Sequence, residues 1–354
     1  MSVLRKFTTR SLKLNKKRTI VISIGCMLSV GLITAVAGMF VSLQHTLIES
    51  SIREGGKYHT MFRGAPSDSL DVVRNNRRID SYFYIQPLGY AEFDSSSITA
   101  PYLFIIGFND NALENSALRL AEGRLPENKN EIALPRRVNR NSYTEYKIGD
   151  ILDLQLFDLE REVAFDVEGN VLDIDEERTN LFEREYTVVG ILEDIRNHLI
   201  TGFQESGITV VTHLSEPTDN IDLFVYYNNP RDTDEINSIL MSSFDLGSNR
   251  VFTNRDLLRW QGVVGDNTLR VLYSVAGVVI SVIIVTSVFV IRNGFAISIL
   301  ERNKEYSILA SVGVTKRQIK RNVLYEGLIL GLISIPLRNY IRGNGRIYTN
   351  IFSK

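Results

Sequence analysis

Two long apolar runs punctuate the chain, with a polar, turn-rich stretch between them. Thr19 to Gln44 contains no charged residue. As helix, about 24 of these residues would extend roughly 36 Å, enough to cross a hydrocarbon core with some tilt. Ala35-Val36-Ala37 has the form of a signal-peptide cleavage site, but apolar residues continue through Met39, Phe40, Val41 and Leu43, beyond the usual length of such a region. A retained helix is expected, running on through Leu47, Ile48 and Ile52 and stopping at Gly55-Gly56. The second run, Val271–Ile291, is bracketed by Arg270 and Arg292 and would reach about 31 Å as helix. Gly277 and Ser281, with Ala276 beside them, have the small-xxx-small spacing of close helix contact.

The intervening stretch changes period. Tyr82–Ile85, Tyr102–Ile106, Glu185–Leu192, Gly207–Thr212 and Asp222–Tyr227 are short β-branched or aromatic runs bounded by turn residues, which predicts strands. Arg161–Val167 and Val171–Ile174 flank Glu168-Gly169-Asn170 as the arms of a hairpin. Asp232–Phe244 has helical periodicity, with Asp232, Asp234 and Glu235 at its start. A mixed α/β domain with its own core is expected, at a length typical of domains. Gly123, Gly149 and Gly190 suit tight turns between strands.

Charge sorts these pieces by side of a membrane. Residues 1–43 carry seven Lys/Arg and no acid, and residues 292–322 carry seven Lys/Arg and two acids. Residues 44–270 hold 22 Lys/Arg against 38 Asp/Glu, a net of −16. Basic flanks beside apolar runs and an acidic middle follow the positive-inside rule for a translocated middle. The fold class expected is therefore a membrane protein in which long transmembrane α-helices flank a mixed α/β extracytoplasmic domain. The expected segments are a cytoplasmic basic amphipathic stretch (1–18) suited to anionic lipid, a first span (19–44), the extracytoplasmic domain (45–269) and a second span (270–292). A cytoplasmic element (293–322), an incomplete third span (323–337) and an atypical tail (338–354) complete the chain. The location expected is the bacterial cell membrane, multi-pass, with a cytoplasmic N-terminus.

Chemistry-bearing patterns are few. Cys26, the only cysteine, sits inside an apolar run, so no disulfide braces the exported part. Gly55-Gly56-Lys57 is not a nucleotide loop, because Ser51 stands where its first glycine belongs and Tyr58 follows the lysine. His45, His59, His198 and His213 form neither H-x-x-x-H nor H-E-x-x-H, which argues against a metal site. Asp166–Glu177 is acid-rich without calcium-loop spacing, and Ser206-Gly207 belongs to no G-x-S-x-G elbow. No catalytic residue, cofactor or nucleic-acid partner is expected, and the chain reads as a non-enzyme.

Ile297–Gly331 lies between apolar runs and carries two charge groups, Glu301-Arg302-x-Lys304-Glu305 and Lys316-Arg317-x-x-Lys320-Arg321. Ile308, Leu309 and Val312 fall on one helical face. Gly313 breaks the pattern, and Thr315 with Gln318 has the form of a capping box that restarts a helix. The string E-R-x-x-E-x-x-I-L-A-x-x-G-x-T-x-x-Q-I resembles that of the FtsX/MacB-like ABC transporter permeases. The ordered series EGRLP (122–126), NEIAL (130–134), IGD (148–150) and YTVVGI (186–191) is likewise similar to the MacB-type periplasmic core domain.

The resemblance implies that the element after the second span docks on a separate cytoplasmic ABC ATPase. It points to Glu301, Arg302, Glu305, Gly313, Lys316, Arg317 and Gln318 as the coupling residues. It also implies a homodimer, or a heterodimer with a second permease, in membrane lipid, turning ATP hydrolysis elsewhere into export or mechanotransmission. Substrates of peptide, lipid, lipoprotein or antibiotic class fit equally, as does a purely mechanical signal. After about Pro336 the chain departs from the family plan: Gly327–Leu337 offers only about 17 Å of uncharged helix, and Arg338, Arg342 and Arg346 follow. A third helix truncated soon after its start is expected. The alternative is a membrane-anchored extracytoplasmic binding or sensor protein without transport.

Overall fold

The computed structural model describes residues 16–97, 100–165, 171–195, 207–218, 220–264, 267–301 and 303–334. The segment ahead of residue 16, the Glu168-Gly169-Asn170 turn, His198, Arg302 and everything from 335 onward lie outside the described residues. The chain divides into two compact units, Met1–His45 with Asn267–Lys354, and Thr46–Asp266. Helix α1 (Lys16–Gly55) ends on the expected glycines. Gly56 adopts φ +99°, and its N–H reaches back to the Ile52 carbonyl at 2.8 Å, the left-handed stop that glycine accepts without strain.

In Thr46–Asp266 ten strands form one mixed sheet. They are β1 (Thr60–Ala65), β2 (Ile79–Glu92), β3 (Tyr102–Phe108), β4 (Leu120–Gly123) and β5 (Glu131–Pro135). β6 (Ile151–Phe165), β7 (Val171–Leu192), β8 (Gly207–His213), β9 (Ile221–Tyr227) and β10 (Val251–Thr253) complete it. Among the described residues five short helices punctuate the sheet: α2 (Ser69–Arg74), α3 (Asp110–Asn115), α4 (Arg136–Arg140), α5 (Thr233–Phe244) and α6 (Arg255–Trp260). The strand order is β10-β1-β9-β2-β3-β8-β5-β7-β4, and β6 pairs with both β2 and β7. The path β2-β3-β8-β5-β7-β6 therefore returns to β2, closing six strands into a ring. Among the described residues, β3 with β8 and β5 with β7 are the parallel pairs.

Alternation along each strand fills three cores. Leu103 and Ile105 of β3 point into the ring with Ile132, Leu134, Leu152, Leu154, Leu156, Tyr186, Val188 and Ile208. Phe104, Ile106 and Phe108, one residue out of phase, pack against Met61, Phe83, Phe224 and α3's Ala112. Beyond the ring, Phe62, Leu223, Val225 and Tyr227 meet Ile236, Leu240 and Phe244 of α5. Both faces of β3 are thus covered, which is why it reads as an unbroken apolar run rather than an alternating one.

Some expectations need correction. β2 runs fourteen residues, through Pro87 and Gly89, where the sequence had suggested only Tyr82–Ile85. Its register against β3 slips between those two residues, so the proline sits at a bulge that interrupts the strand signal without ending the strand. Gly190 is not a turn glycine but lies inside β7. The hairpin arms pair as expected, Val163 opposite Ile174 and Phe165 opposite Val171.

In the other unit, α7 (Asn267–Glu301), α8 (Asn303–Ser311) and α9 (Lys316–Ser334) follow one another. Ser23–Gly55 of α1 and Asn267–Ile297 of α7 are long and apolar enough to cross a membrane. A Cβ on Gly25 would lie 3.7 Å from Val290 Cγ1, and one on Gly327 3.4 Å from Phe295 Cζ. Cys26, Phe295 and Ile329 share one apolar cluster. Among the described residues the expected contact through Gly277 and Ser281 is not made: a Cβ on Gly277 would meet nothing within 4 Å, and the Ser281 hydroxyl donates to its own helix, at Gly277 O, 2.7 Å away. Ala276 is the residue buried there. Glu326 of α9 is 1 % exposed within the helical unit.

Candidate functional site

The element expected to couple to an ATPase is built by two interruptions of helix. α7 ends at Glu301, Arg302 falls outside the described residues, and α8 resumes at Asn303 with Glu305 in its first turn. α8 stops where Val312 N–H bonds Ile308 O at 3.2 Å and Gly313 N–H bonds Ala310 O at 3.0 Å. Gly313 takes φ +93°, which lets the chain reverse without the strain a Cβ would add there. Thr315 and Gln318 then form the expected capping box. Thr315 N–H donates to Gln318 Oε1 at 2.9 Å, and Gln318 N–H to Thr315 Oγ1 at 3.4 Å. This satisfies two of the amides that the start of α9 leaves open.

Lys316, Arg317, Gln318, Lys320 and Arg321 are all exposed on the first turns of α9. Ile308 and Val312 are 59 % and 80 % exposed. Apolar side chains and cations thus stand free together on one short element. The structure brings Gly313, Lys316, Arg317 and Gln318 into one turn-and-helix start and places Glu301 and Glu305 on the helices before it.

The sheet-unit motifs are structural. Gly123 stands opposite Gly190 across β4 and β7. A Cβ on Gly190 would fall 2.1 Å from Arg124 O, and one on Gly123 2.3 Å from Val189 O. Arg124 grips Glu131 with both guanidinium nitrogens, Nη1–Oε2 at 2.6 Å and Nη2–Oε1 at 2.5 Å, and the Glu127 N–H adds a bond of 2.8 Å. The Arg124 hydrogen bonds hold the Glu131 carboxyl down at about 2. The EGRLPE–NE string therefore closes its own loop onto β5.

Sequence reading weighed His59 and His213 only as metal ligands and gave neither a place in the fold. His59 is fully buried between β9 and α6, bonded to Gln261 and Tyr227. Its only sequence trace is a polar residue just ahead of an apolar strand. His213 lies 2.9 Å from Asp110 Oδ1 and 3.5 Å from the Ser215 hydroxyl. The serine contact is at the outer limit of a hydrogen bond and Asp110 is mostly exposed, so the row bridges β8 to α3 rather than activating a nucleophile. A cleft lined by Arg53, Leu118, Arg119, Glu193, Asp194 and Ile195 has much of its charge paired internally, Arg119 with Glu193 at 3.8 Å and Asp194 with Arg140.

No curated protein sequence matches the chain. The extracellular domain of the noncanonic ABC-type transporter YknZ from Gram-positive bacteria aligns at 8% identity, over 55% of this chain and 98% of that one, with a TM-score of 0.34. A domain of a Porphyromonas gingivalis protein described as a permease aligns at 10% identity over 52% and 71%, with a TM-score of 0.31. Scores this low carry no argument. Residues 277–336 match the family FtsX-like permease C-terminal, a range that encloses the Gly313 turn, the capping box and every one of the exposed cations. Over this stretch the chain is therefore similar to the C-terminal part of FtsX-like permeases.

Proposed function

We propose that the chain is the permease subunit of an ABC transporter, coupling ATP hydrolysis by a separate ATPase to motion of an extracytoplasmic domain. α1 and α7 cross the bacterial cell membrane, Thr46–Asp266 lies outside, and the element from Glu301 to Arg321 docks on the ATPase in the cytoplasm. The observation that carries this reading is the family match at 277–336 over a helix–glycine–capped-helix element with unburied apolar and basic side chains. Exposed apolar residues among cations fit a surface completed by a partner. In this reading the subunit performs no catalytic step itself and works as a homodimer, or with a second permease. The motion it passes on expels a substrate or actuates an external partner.

Glu301, Arg302, Glu305, Lys316, Arg317 and Gln318 face the ATPase. Reversing a docked charge sets like charges against each other across the interface. Glu305→Arg should lower recovery of the co-expressed ATPase with the tagged chain by about tenfold, the effect of a loss near 1.4 kcal/mol. Undiminished recovery with both Glu301 and Glu305 reversed would show the element to be only a solvated helix end.

A further inference from the structure

The chain passes between helix and sheet twice, and the two crossings are tied to each other inside Thr46–Asp266. His59 lies four residues after α1 ends, and Gln261 six before α7 begins. The imidazole accepts the Tyr227 N–H on Nδ1 at 2.9 Å, and its Nε2 lies 2.9 Å from Gln261 Oε1. A backbone N–H only donates, so Nδ1 carries no proton; the amide oxygen accepts, so Nε2 does. The Gln261 amide nitrogen donates in turn to the Tyr226 hydroxyl at 3.3 Å. The ring stacks on Tyr226 at 4.0 Å between centroids, 20° from parallel.

The backbone closes the same knot. His59 N–H donates to Val225 O and His59 O accepts from Asn254 N–H, both at 2.8 Å. Asn254 caps α6 by accepting the Leu257 N–H at 3.2 Å and donates its side-chain amide to Tyr58 O at 3.1 Å. One fully buried, singly protonated imidazole thus spans the entry into β1 and the exit through α6.

A second proton has one place to go. It must add to Nδ1, where it would face the Tyr227 N–H, donor against donor. Among the described residues, the polar groups that bond or stack on the ring are Gln261, Tyr226 and Tyr227, none of them anionic at neutral pH. The carboxylate that acts on it, Asp80, is engaged by Lys57 at 3.8 Å, and Lys57 also sits 5.1 Å above the Tyr226 ring. We propose that His59 is the positioning residue that clamps the two crossings together, and that a proton on Nδ1 releases them. Burial is consistent with this, pushing the imidazole down to about 4 against milder upward pulls from Gln261 and Asp80. The sign follows: the clamp is whole above the ordinary value of 6.5 and is lost as pH falls from there toward about 4. For its consequence the proposal rests on the permease reading, since opened crossings would loosen whatever motion the helices pass to the sheet.

Trp260, the only tryptophan, adjoins Gln261 and reports on the exit crossing. Emission of the purified full-length chain, followed from pH 7.5 to 3.5 with far-ultraviolet dichroism alongside, should show a transition centred between 6.5 and 4 while secondary structure is retained. The opening constant should rise by about two orders of magnitude across that window. His59→Asn keeps an acceptor for the Tyr227 N–H but cannot be protonated, and should abolish the transition. Gln261→Glu sets a carboxylate against Nε2–H and should move the midpoint up by about one pH unit. This variant decides the matter if His59→Asn folds poorly. A transition that persists in His59→Asn, or a midpoint that Gln261→Glu leaves in place, overturns the clamp. In a complex with its ATPase, stimulation of hydrolysis should fall over the same window. An emission transition with unaltered ATPase stimulation supports the clamp and overturns the coupling reading instead.

Discussion

At the residue scale, the glycines that sequence reading grouped together do different work. Gly190 is fixed by approach and Gly149 by dihedral angle. A Cβ on Gly190 would strike the Arg124 carbonyl at 2.1 Å, backbone against backbone, with no flexible side chain to give way. Gly149 has nothing within 4 Å of a Cβ but adopts φ +98°. Gly190→Ala should therefore cost about 3 kcal/mol or more, as forced overpacking does, and Gly149→Ala about 1 kcal/mol of backbone strain. Denaturant midpoints of the two variants check the order; equal losses would mean that β4 and β7 separate easily.

The Arg124–Glu131 pair gives a second residue-scale test. Glu131's carboxyl titrates at about 2 in the fold against an ordinary 4.5, so its stabilisation is present above 4.5 and lost as pH falls toward 2. Glu131→Gln should lower stability at pH 7 by about 1 kcal/mol, a modest figure because the guanidinium is half exposed. The gap to wild type should narrow below pH 4.5. Chemical unfolding at pH 7 and pH 3.5 measures it, and a constant gap would assign the loss to packing. Neither the pairing of Gly123 with Gly190 nor that of Arg124 with Glu131 was legible as such, because sequence order shows that these residues recur but not that they touch.

At the scale of elements, local signals survived wherever the local contact is the one that matters. Gly55-Gly56 stops α1, Asp232 to Glu235 introduces α5, and Thr315 with Gln318 opens α9, each within a few residues of its sequence cue. β1 and β10 gave no comparable cue. Thr60–Ala65 contains Arg63 and Gly64 and is short, and its burial comes from β9 and α5 across long stretches of chain. The capping box invites a graded test. The Gln318 reach-back at 2.9 Å is the shorter of its two bonds, so Gln318→Ala should loosen the first turn of α9 more than Thr315→Ala. The expected cost is about 0.5–1 kcal/mol. Amide exchange over residues 315–319 should speed up accordingly, and Gln318→Glu should restore it. Exchange unchanged in Gln318→Ala would mean that this turn is held by something other than its cap.

At the scale of the whole molecule, the topology proposed from charge and hydropathy can be read out chemically. In the proposed orientation, the basic excess ahead of the first apolar helix and the basic cluster after the second would stay in the cytoplasm, and residues 44–270, with their net −16, would lie outside. Labelling by an impermeant maleimide in whole cells distinguishes the two sides, provided the probe positions are reachable in the fold. Ser95 is a poor choice, since its hydroxyl is tied to Ala100 O at 2.9 Å and to Ser97 O at 3.2 Å. Tyr143, 78 % exposed at a loop, is a better one. Ser307 is exposed on α8, bonding only to its own helix at Asn303 O, 2.8 Å away. With Cys26 replaced by alanine, a cysteine at position 143 should label in intact cells. One at position 307 should label only after the membrane is permeabilised. Labelling of both in intact cells, or of position 307 alone, would invert or abolish the proposed orientation. It would then remove the cytoplasmic face on which we propose that the Gly313 turn and the Lys316–Arg321 cations meet an ATPase.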